Sequence, residues 1–222
     1  MPELVRPAEI ERESMRIIAR ELRDRGIRIP EENAAVVRRV IHTTADFDFA
    51  RNLCFTPEAV KIGAAALAQG ICIVTDTNMA RAGVSKPALS RLGGEVFCYM
   101  AEPEIAAAAK EHGTTRAAAA MDHAAAEHPG AILAIGNAPT ALFRIAERIE
   151  EGLRPAMVIG VPVGFVNVAE SKDRIWEICG RFGVPAIVAR GRKGGSTVAA
   201  AVCNALLYTA AELLDPGARG WI

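Results

Sequence analysis

Apolar residues recur along this chain with two different periods. Over residues 7–24 they fall on one side of a helix, with Ile10, Ile17, Ile18 and Leu22 forming a stripe at about 100° per residue. Pro7 suits a first helical turn, Glu9, Glu11 and Glu13 suit its positive end, and Gly26 supplies a stop. Ser14 falls inside the stripe. A second helix is predicted over 31–44, opened by Pro30, with Val37, Val40, Ile41 and Thr44 on its apolar side. The pattern then changes to short apolar runs at 53–55, 71–75, 95–99, 131–135, 156–161 and 186–189. Each has the length of a strand, and several are apolar on successive residues, as in a sheet covered on both faces. Helical patterns separate them at 57–69, 103–111, 114–127, 139–151, 171–182 and 196–214.

Strand–helix alternation of this kind predicts an α/β fold: a doubly wound, mostly parallel sheet of about five to six strands, with helices on both faces. No linker-like stretch or composition break divides the chain, so one domain over 1–222 is expected, with the two N-terminal helices added to the core. The alanine clusters all fall on the helical segments, where alanine favours helix and lets elements approach closely.

Composition narrows the classes of function. Of 222 residues, 51% are apolar, while Lys plus Arg and Asp plus Glu each number 26. A general nucleic-acid or membrane-surface binder would carry a basic excess, so neither partner is expected. No apolar run has the length of a membrane helix, and the first 28 residues carry charges of both signs without the apolar core of a signal peptide. A cytoplasmic protein is expected. The five cysteines, Cys54, Cys72, Cys98, Cys179 and Cys203, are scattered and form no CxxC pair or zinc-site spacing. They are expected to be buried thiols, with no metal bound.

Ligands of open α/β sheets bind outside the carboxyl ends of the strands. Four segments rich in Gly, Pro, Asn or Thr follow such ends, at 75–78, 136–140, 160–165 and 190–197. The last is the most charged: Gly194, Gly195 and Ser196 offer bare N–H groups at a helix start, with Arg190, Arg192 and Lys193 alongside. That combination makes an anion site, although a solvated basic turn is the plainer alternative. It matches neither a P-loop nor a dinucleotide fingerprint. Among the four histidines, His112, His123 and His128 are expected to face solvent. His42 points about 150° away from its helix's apolar stripe, so it faces solvent or a cleft, amid small polar residues. A histidine there can move one proton near neutral pH. Ser14 can bond back to its own helix, the commoner role. Arg116, a cation in a first helical turn, calls for a carboxylate partner from the chain or from a ligand. There is no nucleophile elbow, and no pair of carboxylates is singled out.

Several of these segments together resemble the precorrin-8X methylmutase (cobalt-precorrin-8 isomerase) family of corrin-ring biosynthesis. The resemblance is carried by Glu13-Ser14, Val40-Ile41-His42, Gly83-Val84-Ser85, Gly113-Thr114-Thr115-Arg116, IGNAPTALF at 135–143, PVGFVNVAESKD at 162–173 and Gly191-Arg192-Lys193-Gly194-Gly195-Ser196. It implies a flavodoxin-like homodimer that moves a methyl group from C-11 to C-12 of the macrocycle. The step is a formal 1,5-sigmatropic shift giving hydrogenobyrinic acid or its cobalt counterpart, without redox cofactor or external methyl donor. The catalytic histidine maps onto His42, as proton donor or hydrogen-bond partner to ring C. Substrate contacts map onto Ser14, Arg116 and Ser85, where some relatives carry threonine. Lys86, Thr43, Thr115, Asn137, Gly194, Gly195 and Ser196 complete the candidate set for a corrinoid carrying many carboxylates.

Two other classes share these anion sites: a non-enzymatic corrinoid carrier that hands intermediates to neighbouring pathway enzymes, and a generic α/β enzyme for phosphorylated ligands. Turnover separates the first from a methylmutase, and ligand preference separates the second.

Overall fold

The computed structural model describes residues 6–219. Two helices come first, α1 (Pro7–Asp24) and α2 (Ala34–Thr44), then the short α3 (Phe49–Asn52), which leads into strand β1 (Leu53–Phe55). Helix α4 (Ala59–Ala68) connects to β2 (Ile73–Thr75), and α5 (Asn78–Gly83) and α6 (Lys86–Arg91) connect β2 to β3 (Val96–Phe97). After α7 (Pro103–Glu111) and α8 (Arg116–Glu127) come β4 (Ile132–Ile135), α9 (Pro139–Glu150), β5 (Met157–Gly160), α10 (Val168–Phe182), β6 (Ala186–Ala189) and α11 (Ser196–Ala210).

The six strands form one sheet in the order β1-β6-β5-β4-β2-β3. Strands β2 to β6 are parallel, and their spatial order is that of a flavodoxin-like doubly wound sheet. β1 is the exception: it runs antiparallel beside β6, with Leu53 opposite Ala189 and Phe55 opposite Ile187. Alternate strand residues serve opposite faces. Ile73, Ile132, Ala134, Met157, Ile159 and Ile187 join the core beneath α2, α4 and α11. Val74, Leu133, Ile135, Val158, Ala186 and Val188 join the core beneath α7 to α10. Both sets are buried, which is why these runs read as continuously apolar.

The structure refines several expected boundaries. Residues 31–33 form a 3₁₀ turn, and the regular second helix begins at Ala34. Helix α11 stops at Ala210 instead of reaching 214, because the chain turns through Glu212 at a φ of 57°. Helices α5 and α6, six residues each, carry no full apolar period and went unread. All five cysteines are free. Cys98, Cys179 and Cys203 are buried, but Cys54 and Cys72 are only half-buried, which corrects the expectation for those two. Burial pushes the Cys179 and Cys203 thiols up to about 12, so they are inert. Among the described residues, no helix is long and apolar enough to cross a membrane.

Candidate functional site

The switch point of this sheet lies between β2 and β4, where successive crossovers leave in opposite directions. Asp76 occupies it, 1% exposed at the end of β2. Its Oδ1 accepts the Gly136 amide at 2.8 Å, and its Oδ2 accepts those of Asn137 and Ala138 at 2.8 and 2.7 Å. Burial pushes this carboxyl's pKa up, and the three amides pull against it. The carboxylate thereby fixes the turn that starts α9.

The start of α11 is packed against the same place. A Cβ on Gly136 would lie 2.7 Å from the Ser196 Cα, and one on Gly194 would overlap the carbonyl oxygen of Val161. Only glycines permit these approaches. The Gly195 amide donates to Val161 O at 2.8 Å, and Ser196 Oγ lies 2.8 Å from Thr77 Oγ1, which also caps α5 through the Ala80 amide. Three strand ends therefore converge on residues 194–196.

The cations beside this turn are largely engaged, which corrects the picture of a freely charged loop. Lys193 Nζ meets Asp46 Oδ2 and Asp48 Oδ2 at 2.6 Å each. Arg190 pairs with Asp173 at 2.8 Å and lies over the Trp176 ring. Arg192 lies over the Phe165 ring, 5.4 Å from its centroid. Phe165 and Val166 are 81% and 78% exposed, so the rim beside the turn is strongly apolar. From beneath, the buried Lys172 donates to the carbonyls of Gly191 and Lys193 at 2.8 Å each.

His42 sits in the last turn of α2, which ends at Ala45 in the left-handed conformation. Its ring is exposed, as expected from its position off the apolar stripe. Partial burial lowers its pKa, Arg39 and Arg219 lower it further, and Glu11 opposes them. The Lys193 ion pairs tie the segment just after His42 to the glycine-rich turn. Thr43 is exposed and bonds back to Arg39 O at 3.0 Å.

Ser14 donates to Ile10 O at 2.8 Å, the commoner of its two expected roles. Ser85 caps α6, and its amide donates to Asn204 Oδ1 at 2.7 Å. It borders a cavity of about 210 Å³ shared with Tyr208 and Arg219. Lys86 turns its ammonium onto the carbonyls of Arg81 and Ala82, so it caps α5 instead of facing a ligand.

Arg116 and Thr115 lie on the other side of the sheet, where α8 packs with α7 and α9, while Asn137 stands in the strand-end turn held by Asp76. Thr115 caps α8 and meets Thr140 Oγ1 at 2.8 Å. Arg116 is exposed, and its side chain forms no hydrogen bond or ion pair with the described residues. Gly113 and Thr114 line a cavity of about 750 Å³ between these helices, with Arg144 and Arg148 held by Asp122. The structure thus groups Ser14, His42, Thr43 and Ser85 on one face and Thr115 and Arg116 on the other, with Asn137 at the strand ends. Residues 194–196 stand between, at the strand ends.

Two histidines differ from expectation. His128 donates to or accepts from Tyr99 Oη at 2.7 Å and stacks on Phe97, and His123 packs edge-on against Tyr99. Asp76, Lys172 and Glu11 carry no motif that marks them as site residues. Their one signal was position: Asp76 follows a strand directly, and Lys172 lies within the 162–173 run.

Residues 9–209 match the family model described as precorrin-8X methylmutase. The chain is 41% identical over 206 residues to the cobalt-precorrin-8 methylmutase of Priestia megaterium, covering 92% of this chain and 89% of that protein. It is 47% identical over 175 residues to the Salmonella typhimurium protein of the same name, covering 78% and 80%. It is 41% identical over 198 residues to the precorrin-8X methylmutase of Pseudomonas aeruginosa, covering 89% and 93%. A solved precorrin-8X methylmutase from Thermus thermophilus superposes with a TM-score of 0.81 at 40% identity, covering 96% of this chain and 99% of that one. The sheet order, the glycine turn locked between strand ends and the histidine tied to it thus occur in a chain that belongs to the precorrin-8X methylmutase family and is an isomerase.

Proposed function

We propose that the chain moves the methyl group of precorrin-8X, or of cobalt-precorrin-8, from C-11 to C-12, with His42 as hydrogen-bond or proton donor to the ring-C nitrogen. The observation that carries this reading is the placement of His42. It is exposed on the last turn of α2, and Lys193 ties the following residues Asp46 and Asp48 to the glycine-rich turn. Its lowered pKa leaves the unliganded imidazole neutral near pH 7, with one N–H to offer. A substrate rich in carboxylates raises that pKa as it binds, which moves the ring toward the proton-donating form. One well-placed donor is worth about 10²–10⁴ in rate, and holding a flexible macrocycle in one geometry adds to it.

The substrate's carboxylates are assigned to the amides of Gly194 and Ser196, to Arg116 and to the hydroxyls of Ser14, Thr43, Ser85 and Thr115, with Asn137 at the α9 start; Gly195, whose amide is taken by Val161 O, shapes the turn between them. Lys86, already held by two carbonyls, is left out of that set. The site residues lie on both faces of one sheet, which suits a broad ligand and a homodimer.

The test is titration with hydrogenobyrinic acid, followed by its visible spectrum, together with turnover of the substrate. His42→Ala should bind the ring and lose about 10²–10⁴ of the rate. A variant that turns over at the native rate removes His42 from the chemistry. Binding without any turnover by the native chain points to a carrier.

A further inference from the structure

Lys172 is a buried cation that forms no ion pair among the described residues. It stands on the second turn of α10 and is 0% exposed, the bulkiest of the fully buried side chains. Among the described residues its ammonium's hydrogen bonds go to the carbonyls of Gly191 and Lys193 alone. Burial alone pushes its pKa down to about 8. The acids around it are engaged elsewhere or turned to solvent. Asp173 holds Arg190, Asp46 and Asp48 hold the Lys193 ammonium, Glu150 on α9 holds Arg174, and Glu170 is exposed.

Burying an ammonium is costly unless an opposite charge offsets it. A neutral amide would support two carbonyls at lower cost, so the charge calls for a separate reason. The turn that Lys172 supports leads straight into α11, whose first amides add their own positive dipole. The ammonium stands behind that turn, and the half-buried Gly194 and Ser196 stand in front of it. Both fields draw negative charge to one point.

We propose that Lys172 is a positioning residue whose missing counter-charge is a carboxylate of the substrate, received at the α11 start by the turn that Lys172 holds from behind. The inference rests on the corrinoid reading above. It makes binding depend on a proton that no residue in contact with the macrocycle carries.

The full chain, Lys172→Gln and Lys172→Met are titrated with hydrogenobyrinic acid at several pH values. A shift of about one pKa unit in Lys172 on binding makes the native affinity about sixfold weaker at about pH 9.5 than at about pH 7.5. Lys172→Gln, which keeps a donor and loses the charge, should bind about tenfold more weakly at the lower pH and show no such slope. A glutamine variant with native affinity and native slope overturns the proposal and leaves the corrinoid reading intact. A native chain that binds no corrinoid overturns that reading itself. If both variants fail to fold, calorimetric titration of the native chain near pH 8.5 in two buffers of different ionisation enthalpy decides. Net proton uptake is expected, and its absence overturns the proposal.

Discussion

Glu11 and Arg39 meet at 2.6 Å, and each stands one helical turn before a proposed site residue, Ser14 on α1 and His42 on α2. Arg219 closes the group from the C-terminal side, reaching Glu11 Oε1 at 2.7 Å and Oε2 at 2.9 Å. One carboxylate therefore holds two guanidiniums, and all three side chains are nearly sealed from water. Burial pushes the Glu11 pKa up, but Arg219 and Arg39 bring it below its ordinary value. Glu11→Ala removes the buried carboxylate that Arg39 and Arg219 share and should cost about 3–5 kcal/mol in denaturant unfolding. Because the folded pKa is depressed, the stabilisation is present above pH about 4.5 and is lost as pH falls through the folded value. Glu11→Gln should flatten that acid limb, and an unchanged limb would assign it to other carboxylates.

His42 gives a prediction of the opposite kind. Its folded pKa lies below 6.5, so the folded state resists taking up its proton. Stability from this group is present above the unfolded value and is lost as pH falls toward the folded one. Proton NMR of the ring should show titration below about 6.5 in the free chain and above that value once a polycarboxylate corrinoid is bound. Arg39→Met should raise the free value. A ring that titrates at or above 6.5 without ligand contradicts the cationic surroundings described here.

Asp76 tests the switch point. Asp76→Ala strands three amides, each costing about 1–3 kcal/mol when buried and unpaired. Water entering the gap will meet part of that, so a net loss of about 3 kcal/mol is expected. Hydrogen exchange should speed up at Gly136, Asn137 and Ala138 beyond the global change. Uniform exchange across β4 and α9 would mean that the carboxylate does not hold this turn.

Two glycines in one loop should behave differently. Gly191→Ala meets open space and pays only for its positive φ, about 1–2 kcal/mol. Gly194→Ala drives a methyl group into the Val161 carbonyl, so the turn at the α11 start must move. The second change should weaken hydrogenobyrinic acid binding at least tenfold more than the first, read by spectral titration. Equal effects would take the α11 start out of the binding site.

The parallel core was legible because its strands are covered on both faces, and an unbroken apolar run such as Ile132–Ile135 leaves few other readings. The antiparallel course of β1 was not, since side-chain pattern carries no strand direction. The glycine-rich turn showed itself through residue type. Its electrostatics did not, because Lys193 finds its acids 147 and 145 positions earlier in the chain. Shorter separations, 29 and 19 positions, were still enough to hide the Tyr99–His128 pair and the grip of Lys172 on its loop. Asn204 holding both Gly83 O and the Ser85 amide is a third case, local in space and remote in sequence. Helix periodicity placed His42 off the apolar stripe, but the arginines that lower its pKa become its neighbours only when α1, α2 and the C-terminal turn assemble.

The reversed edge strand has a consequence for how such an enzyme is put together. With Leu53 opposite Ala189, everything just before β1 is delivered to the edge where the parallel strands end. The Arg190 amide donating to Asn52 O at 2.8 Å extends that junction by one more residue. A parallel β1 would have carried His42 to the far edge, away from the glycine turn. The five-stranded core keeps its own crossovers and its own glycine-rich turn, and the histidine arrives as a prefix to it. On the proposed reading, Ser14, His42 and Thr43 then come from one length of chain and the glycine-rich turn from another, and the reversed strand brings the two to the same end of the sheet.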